Sequence, residues 1–504
     1  FVGVASPGDL VGTDGGLTVN LLGLNYLIKL SNLLSLGQAI EVKITNSNVT
    51  GIESGLTIEA TGQREENSVQ DYVVGGFVAR SGSTKISNSI VKNLKYVKIT
   101  DQGGYAGGFV GISKTGGLAE VGDETEIKSL IEANGLLNAV AYLIPKYEQC
   151  RVEFVKEGQV IGDLAGGFAA DFQSGTLDDA GENIAVNNIE KVSGRSYAGG
   201  FAGKVYAGAL ADASKGISIL GGLTGLNIQL NDLLKLVNVY VPIIKNAGVH
   251  SEEGLVVNAS GYDEIDLTSG SAGGYIGYAS AVQITNSDVS NLKHTTVTPP
   301  SEDLNSSDGS SYYNGDSYYA VSAQNCAGGF VGKLDIGNTA SLGKGLSVLG
   351  SSIELSNLLS ALDVVASKIE NCDVTGNIGG YSVKANGSSN ANGTLGKAGG
   401  FVGENDGSQL QNCNAYNFAY VIGQISAGGY VGSMQPGDVA SVLGDTTLLG
   451  GLVNISVGLA SILQSFIPMI YNSQTTCIPC GGVVRASSPT QNGVQKGCAG
   501  GYVG

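Results

Sequence analysis

The sequence predicts a mainly β chain: a parallel β-solenoid, wound as a right-handed β-helix, with amphipathic α-helices inserted in alternate units and packed on one wall. Three observations predict it. A glycine-flanked aromatic, as in Ala398-Gly399-Gly400-Phe401-Val402-Gly403, recurs from one end of the chain to the other. A second landmark, an apolar residue, a variable residue, Asn, then Ser or Cys, keeps step with it. Glycine supplies 79 of 504 residues with no collagen triplet. Self-similarity of this kind marks a stack of coils, each burying its apolar side only against its neighbours. The right-handed sense follows from the general rule for parallel crossovers.

The aromatic falls at Phe1, Phe77, Phe109, Phe168, Phe201, Tyr275, Phe330, Phe401, Tyr430 and Tyr502, and the intervals alternate long and short. A glycine pair before it implies either φ > 0 or a backbone approach too close for a Cβ. On stacked coils the aromatics then form a ladder at the inter-strand spacing of ~4.8 Å. Core packing is the plain use of such a ladder, and a sugar-stacking surface is the alternative. The next residue, Val or its equivalent, is expected on the opposite side of the strand, so that one of the two faces the inside and the other is covered by the helices.

The second landmark reads Ile86-Ser87-Asn88-Ser89, Ile284-Thr285-Asn286-Ser287 and Leu410-Gln411-Asn412-Cys413 in short units. In long units its counterparts are Asn46, Gln149, Asn246, Asn371 and Asn472, so the extra length enters at one fixed place. The unit after Phe168 has no clean Asn-Ser.

Taken in order, the units are 1–108, 109–200, 201–329, 330–429 and a truncated 430–504, all within one continuous solenoid over 1–504. The chain begins and ends inside a copy of the motif, which suggests an excerpt of a longer array. Val19 to Leu36 and Glu126 to Ile144 read as helix. Asn231 is placed to cap a helix carrying Leu233, Leu234, Val237 and Val241, and Ser356 one carrying Leu358, Leu359, Leu362 and Val365. Pro145, Pro242 and Pro468 fall late in three of these helices, where a missing N–H ends them; the fourth has Ala366 there. Leu56 to Ala60 alternates as a strand, with counterparts at Leu255 to Ala259 and Tyr381 to Ala385, so a long unit is expected to hold more than one rung. Residues 295–320 break the composition with a Ser-, Asp-, Asn- and Tyr-rich run, read as a projecting loop. Its Tyr312, Tyr313, Tyr318 and Tyr319 form a possible ligand loop for a glycan or Ca²⁺.

Net charge is −17 with only 27 Lys and Arg. No cationic cluster offers itself to phosphate, so nucleic acid and anionic membrane surfaces are not expected partners. Leu448 to Tyr471 is uncharged and long enough to span a bilayer, but its counterparts carry Asp232, Lys235, Glu354, Asp363 and Lys368. A helix packed on the solenoid accounts for it better.

There are seven cysteines and two histidines. Cys372 and Cys413 occupy one landmark in successive units, which allows either a disulfide or a stack of thiols. Cys326 and Cys498 are equivalent but several units apart. Cys477-Ile478-Pro479-Cys480 is open to a local disulfide, one with Cys498, or unpaired thiols; the βαβ setting of a redox motif and the second ligand pair of a zinc site are missing. Disulfides would fit a secreted setting. Two isolated histidines, His250 and His294, argue against a Ser-His-Asp or Cys-His nucleophile. No G-x-S-x-G, P-loop or H-E-x-x-H is present. Asp263, Glu264 and Asp266 are the weak candidates for Ca²⁺ or for the carboxylate pair that a glycosidase needs, and a polar turn is their plainer reading. No other cofactor is expected.

Gly-Gly-Phe-Val-Gly followed by Ile/Leu-x-Asn-Ser/Cys-x-Val, clearest over Gly76 to Val91 and Gly274 to Val289 and looser over Gly400 to Ala415, resembles the GLUG-type repeats of large bacterial cell-surface proteins. The helical insertions depart from a plain array of that type. The resemblance implies an exported stalk, adhesin or fibre at the cell surface, with no catalytic residues to carry over. Its partners would be neighbouring repeats or copies of itself, with host or matrix glycans or proteins beyond them. A β-helical polysaccharide-degrading enzyme is the alternative, and a glycan-binding module using the tyrosine-rich loop is the second.

Overall fold

The computed structural model describes residues 2–5, 41–61, 72–99, 104–115, 144–207, 240–263, 266–293, 319–337, 366–377, 379–387, 395–437, 467–486, 490–491, 494–495 and 497–504. They form a mainly β, parallel, solenoid-type repeat structure. Each rung has one plan. A three-residue strand such as Tyr105–Gly107 leads into the Gly-Gly-aromatic corner, and a strand such as Val110–Lys114 trails out of it. The wall follows, here Lys146–Ile161, before the next leading strand, Leu164–Gly166. Nine trailing strands, from Val2–Ala5 to Val431–Gln435, stack in chain order into one sheet, and nine leading strands, from Val73–Gly75 to Cys498–Gly500, into another. The wall strands form a third parallel array. Among the described residues only Thr490–Gln491 and Val494–Gln495 pair antiparallel.

One interval between rings is therefore one rung, whether long or short. Leu56–Ala60 is not an extra strand, contrary to the reading from its alternation. It pairs with Leu94 to Ile99 of the following short unit, which holds the same strand without a break in its wall. The extra length of the long units falls between a trailing strand and the wall. Most of it, residues 6–40, 116–143, 208–239, 338–365 and 438–466, lies outside the described residues, and so do the proposed caps and nearly all of the proposed helices; Ile144 and Val241, placed at two of their ends, are not helical. Where the wall resumes the chain is strand: Met469–Tyr471, counted above in an apolar helix, pairs with Gln409–Gln411. Pro145 and Pro468 each stand immediately before a wall strand. The carbonyls of Pro145 and Pro242 still accept from the next rung, at 3.0 Å each from Thr176 and Gln283. Among the described residues no helix is long and apolar enough to cross a membrane.

Two different corners turn the chain, and each explains one landmark. At the ring corner the glycines do not have positive φ. They are required by crowding: a Cβ on Gly108 would lie 1.9 Å from the carbonyl oxygen of Gly167 one rung on. At the other corner the landmark residue itself is left-handed. Asn46, Asn88, Gln149, Asn246, Asn286, Asn371, Asn412 and Asn472 have φ of 52, 48, 51, 50, 52, 54, 52 and 46°. Asn and Asp tolerate this region better than other side chains. The unit that lacks Asn-Ser fills the place with Asp179, at φ 57°, in register with Asn246. The Ser or Cys that follows closes the corner by donating back two residues, as Ser287 does to Thr285 at 3.1 Å and Cys413 to Gln411 at 3.1 Å.

Candidate functional site: a charged layer between two sheets

The rings line the main core. Phe77, Phe109, Phe168, Phe201, Tyr275, Phe330, Phe401, Tyr430 and Tyr502 stack with successive centroids 4.8, 4.9, 5.3, 4.9, 4.7, 4.8, 5.2 and 4.8 Å apart. These spacings follow the rise between paired strands, because the ring residues are themselves hydrogen-bonded rung to rung. All but Tyr502 are fully buried, so they are not a sugar-stacking surface. Where the ring is Tyr, its hydroxyl donates to the carbonyl of the residue after the left-handed corner: Ala247 at 2.8 Å, Cys413 at 2.8 Å and Ser473 at 3.0 Å. Phe and Val of the motif do not face opposite sides. Both belong to one core, because the aromatic sits on the corner, outside the alternation of the strand.

A second, thinner interior lies between the leading and trailing sheets. After the ring, Val331 and Leu334 face the main core, while Gly332 and Lys333 turn toward the leading sheet. The sheets meet at glycine. A Cβ on Gly403 would stand 2.8 Å from both the N and the O of Ala327. The residue after that glycine therefore points into a narrow gap. Stacked in register, this column reads Arg80, Ile112, Asp171, Lys204, Tyr278, Lys333, Glu404 and Ser433.

The gap holds a buried ion cluster where the seventh and eighth trailing strands meet. Lys333 Nζ is 3.0 Å from Glu404 Oε2 and 2.6 Å from Asp406 Oδ2. Lys397, on the leading sheet, pairs with Glu404 Oε1, and Gln435 donates to the same oxygen at 3.2 Å. The Cys326 thiol donates to Glu404 Oε2 at 3.3 Å. The side chains of Glu404, Asp406 and Lys333 are 3, 8 and 12% exposed. Burial pushes Asp335 up to about 7, with Lys333 opposing and Asp406 and Glu404 adding to it. Burial also raises Asp406, and neighbouring Glu404 raises it further. Glu404 goes the other way: burial would raise it, but Lys333 and Lys397 draw it down to about 2. Lys333, which burial alone would lower, is held well above its ordinary value by Glu404, Asp335 and Asp406.

Lys204 fills the same column among different neighbours. Its Nζ lies 4.8, 5.2 and 5.2 Å from the ring centroids of Tyr197, Tyr206 and Tyr278, and 3.8 Å from Asp266 Oδ2. Asp266, a Ca²⁺ candidate above, is thus occupied by internal partners: Lys204, the Tyr197 hydroxyl, and the Thr268 hydroxyl at 2.7 Å. Asp263 donates its backbone N–H to Ser269 Oγ at 2.7 Å, and Glu264 lies outside the described residues. Among the described residues no three His, Cys, Asp or Glu side chains come together as a metal site.

The remaining candidates are placed as follows. All seven cysteines are free thiols. Cys372 and Cys413 are buried on successive rungs and donate to the carbonyls of Glu370 and Gln411, so here they act as hydroxyl equivalents and form no disulfide. Cys477, Cys480 and Cys498 are exposed and likewise unbridged. Tyr312, Tyr313 and Tyr318 lie outside the described residues. Tyr319 does not project: Lys384 Nζ sits 5.1 Å from its ring centroid, against the wall.

The ion cluster escaped the sequence reading. Its signal was present: in a chain with few charges, Lys204, Lys333 and Glu404 each follow directly on the glycine that closes the ring motif. Comparison with protein-family models, with curated proteins and with solved structures found no match.

Proposed function

We propose that this chain is a non-enzymatic structural or adhesive segment of a bacterial surface protein, a right-handed β-solenoid serving as a rigid stalk or fibre outside the cell. The observation that supports it most is the unbroken column of nine stacked rings. Each coil templates the next, and one apolar core extends from Ala5 to Val431. Such a stack resists bending because its described strands are hydrogen-bonded to the coils above and below. The resemblance to GLUG-type repeats supports the surface setting, with helical insertions decorating one wall.

An enzyme acting on polysaccharide would need a carboxylate pair open to its substrate. Two carboxylates of the cluster, Glu404 and Asp406, are instead largely buried between sheets and paired with lysine. Electron microscopy of the purified protein tests the proposal. We expect coils stacked along one axis at ~4.8 Å per rung, and no new reducing ends after incubation with a panel of plant, bacterial and matrix polysaccharides. Coils that do not stack along one axis, or polysaccharide cleavage, would overturn it.

A further inference from the structure

The contact between Lys333 and Asp406 has the makings of a covalent bond. An amine and a carboxyl group lie 2.6 Å apart on neighbouring rungs, inside a nearly closed gap, with a second carboxylate 3.0 Å from the same nitrogen. We propose that Lys333 Nζ and Asp406 Cγ condense into an intramolecular amide that staples the seventh trailing strand to the eighth.

Four features select this pair. Lys333 is anchored between the two carboxyl groups, so its nitrogen is held within hydrogen-bond reach of the Asp406 carboxyl group it would attack. Asp406 Oδ1 is buried and has no hydrogen-bond partner, which suits an oxygen that becomes an amide carbonyl better than one carrying negative charge. Asp406 is also raised toward its neutral acid, the form that loses water, whereas Glu404 is held as a carboxylate. Glu404 is therefore the proton relay and not the acylated group, although Lys397 also pairs with it.

The charges fit. Two lysines face three carboxylates in this gap, and an isolated buried charge is costly. Joining Lys333 to Asp406 removes one charge of each sign and leaves Lys397 paired with Glu404. Asp335, already raised by burial, can then remain protonated.

The step balances without an oxidant or cofactor. One proton passes from the Lys333 ammonium to the Asp406 carboxylate, giving an amine and an acid. The nitrogen lone pair forms the C–N bond at Cγ. Glu404 Oε2 takes the second ammonium proton and returns it to the departing hydroxyl, so that the C–O bond breaks and one water leaves.

Intact mass spectrometry of the full chain, reduced and denatured, decides the matter. We expect a species lighter than the sequence mass by one water, about 18 Da, and a branched tryptic peptide joining the segments that contain Lys333 and Asp406. D406A and E404Q should each restore the full mass. If those variants do not fold, the wild-type mass and its branched peptide still decide. A wild-type chain at its full sequence mass, or a water loss mapped elsewhere, overturns the proposal.

Discussion

The two interiors of each rung obey different rules. In the main core, register puts like on like: ring on ring, left-handed Asn on left-handed Asn, Val beside Val. In the gap between the leading and trailing sheets, one column changes identity at almost every rung. Lys204 and Lys333 show the consequence, since they occupy equivalent positions two rungs apart. Lys204 has three tyrosine rings and a half-exposed Asp266 around it. Lys333 has Glu404 and Asp406 within contact, both nearly sealed from water. A repeating backbone therefore fixes where side chains meet, while the neighbouring rung decides what the meeting is worth. Repetition maintains the main core; the gap is where individual rungs can differ in chemistry.

Four substitutions would break or sharpen this contrast. The largest effect is expected for K333M, which strands buried carboxylates, at about 3–5 kcal/mol. Denaturant unfolding read by hydrogen exchange in the seventh and eighth rungs would measure it, and a loss below about 1 kcal/mol would show that the cluster is hydrated after all. Next is a pH dependence. Asp335 is raised from 3.8 to about 7 in the fold, so the folded chain binds a proton that the unfolded chain has lost. Stability should then fall as pH rises from about 4 to about 7. D335N should flatten that slope in melts across the same window. Glu404, lowered from 4.5 to about 2, contributes stability that is lost as pH falls from about 4.5 to about 2, so it bears only on the acid edge of this window. K204M should cost only about 1 kcal/mol, because its cation–π contacts and part-exposed pair are weak. Smallest is F330Y, under about 1 kcal/mol, if the new hydroxyl donates to the carbonyl after Asn286 as its Tyr neighbours do at their own corners. A larger loss would mean that the ring column is less uniform than its spacings indicate.

Much of the main core was legible. The ring positions stand out in the sequence because each needs the same glycine pair, and the Asn landmark stands out because few side chains accept the left-handed corner. The reason for each was legible only in part. Close approach and positive φ are both reasons for glycine, and from the sequence alone they cannot be told apart. The structure assigns crowding to the glycines and positive φ to the asparagines. Asp179 does not match the Asn pattern by name, whereas the corner selects a backbone conformation that Asp also tolerates. Leu56–Ala60 was mistaken for an extra strand because its alternation is local. Only its partner, an unbroken wall strand in the next unit, shows that both units run the same course.

The sequence by itself determined the repeat, its register, the places of the long insertions and the aromatic column, since all of these are written as spacings between residues with narrow conformational demands. The tertiary structure alone decided that the leading and trailing sheets close on each other at glycine. That contact joins residues of different rungs whose spacing in the chain varies with every insertion. No local pattern records it, and the lysine–carboxylate cluster exists only because of it.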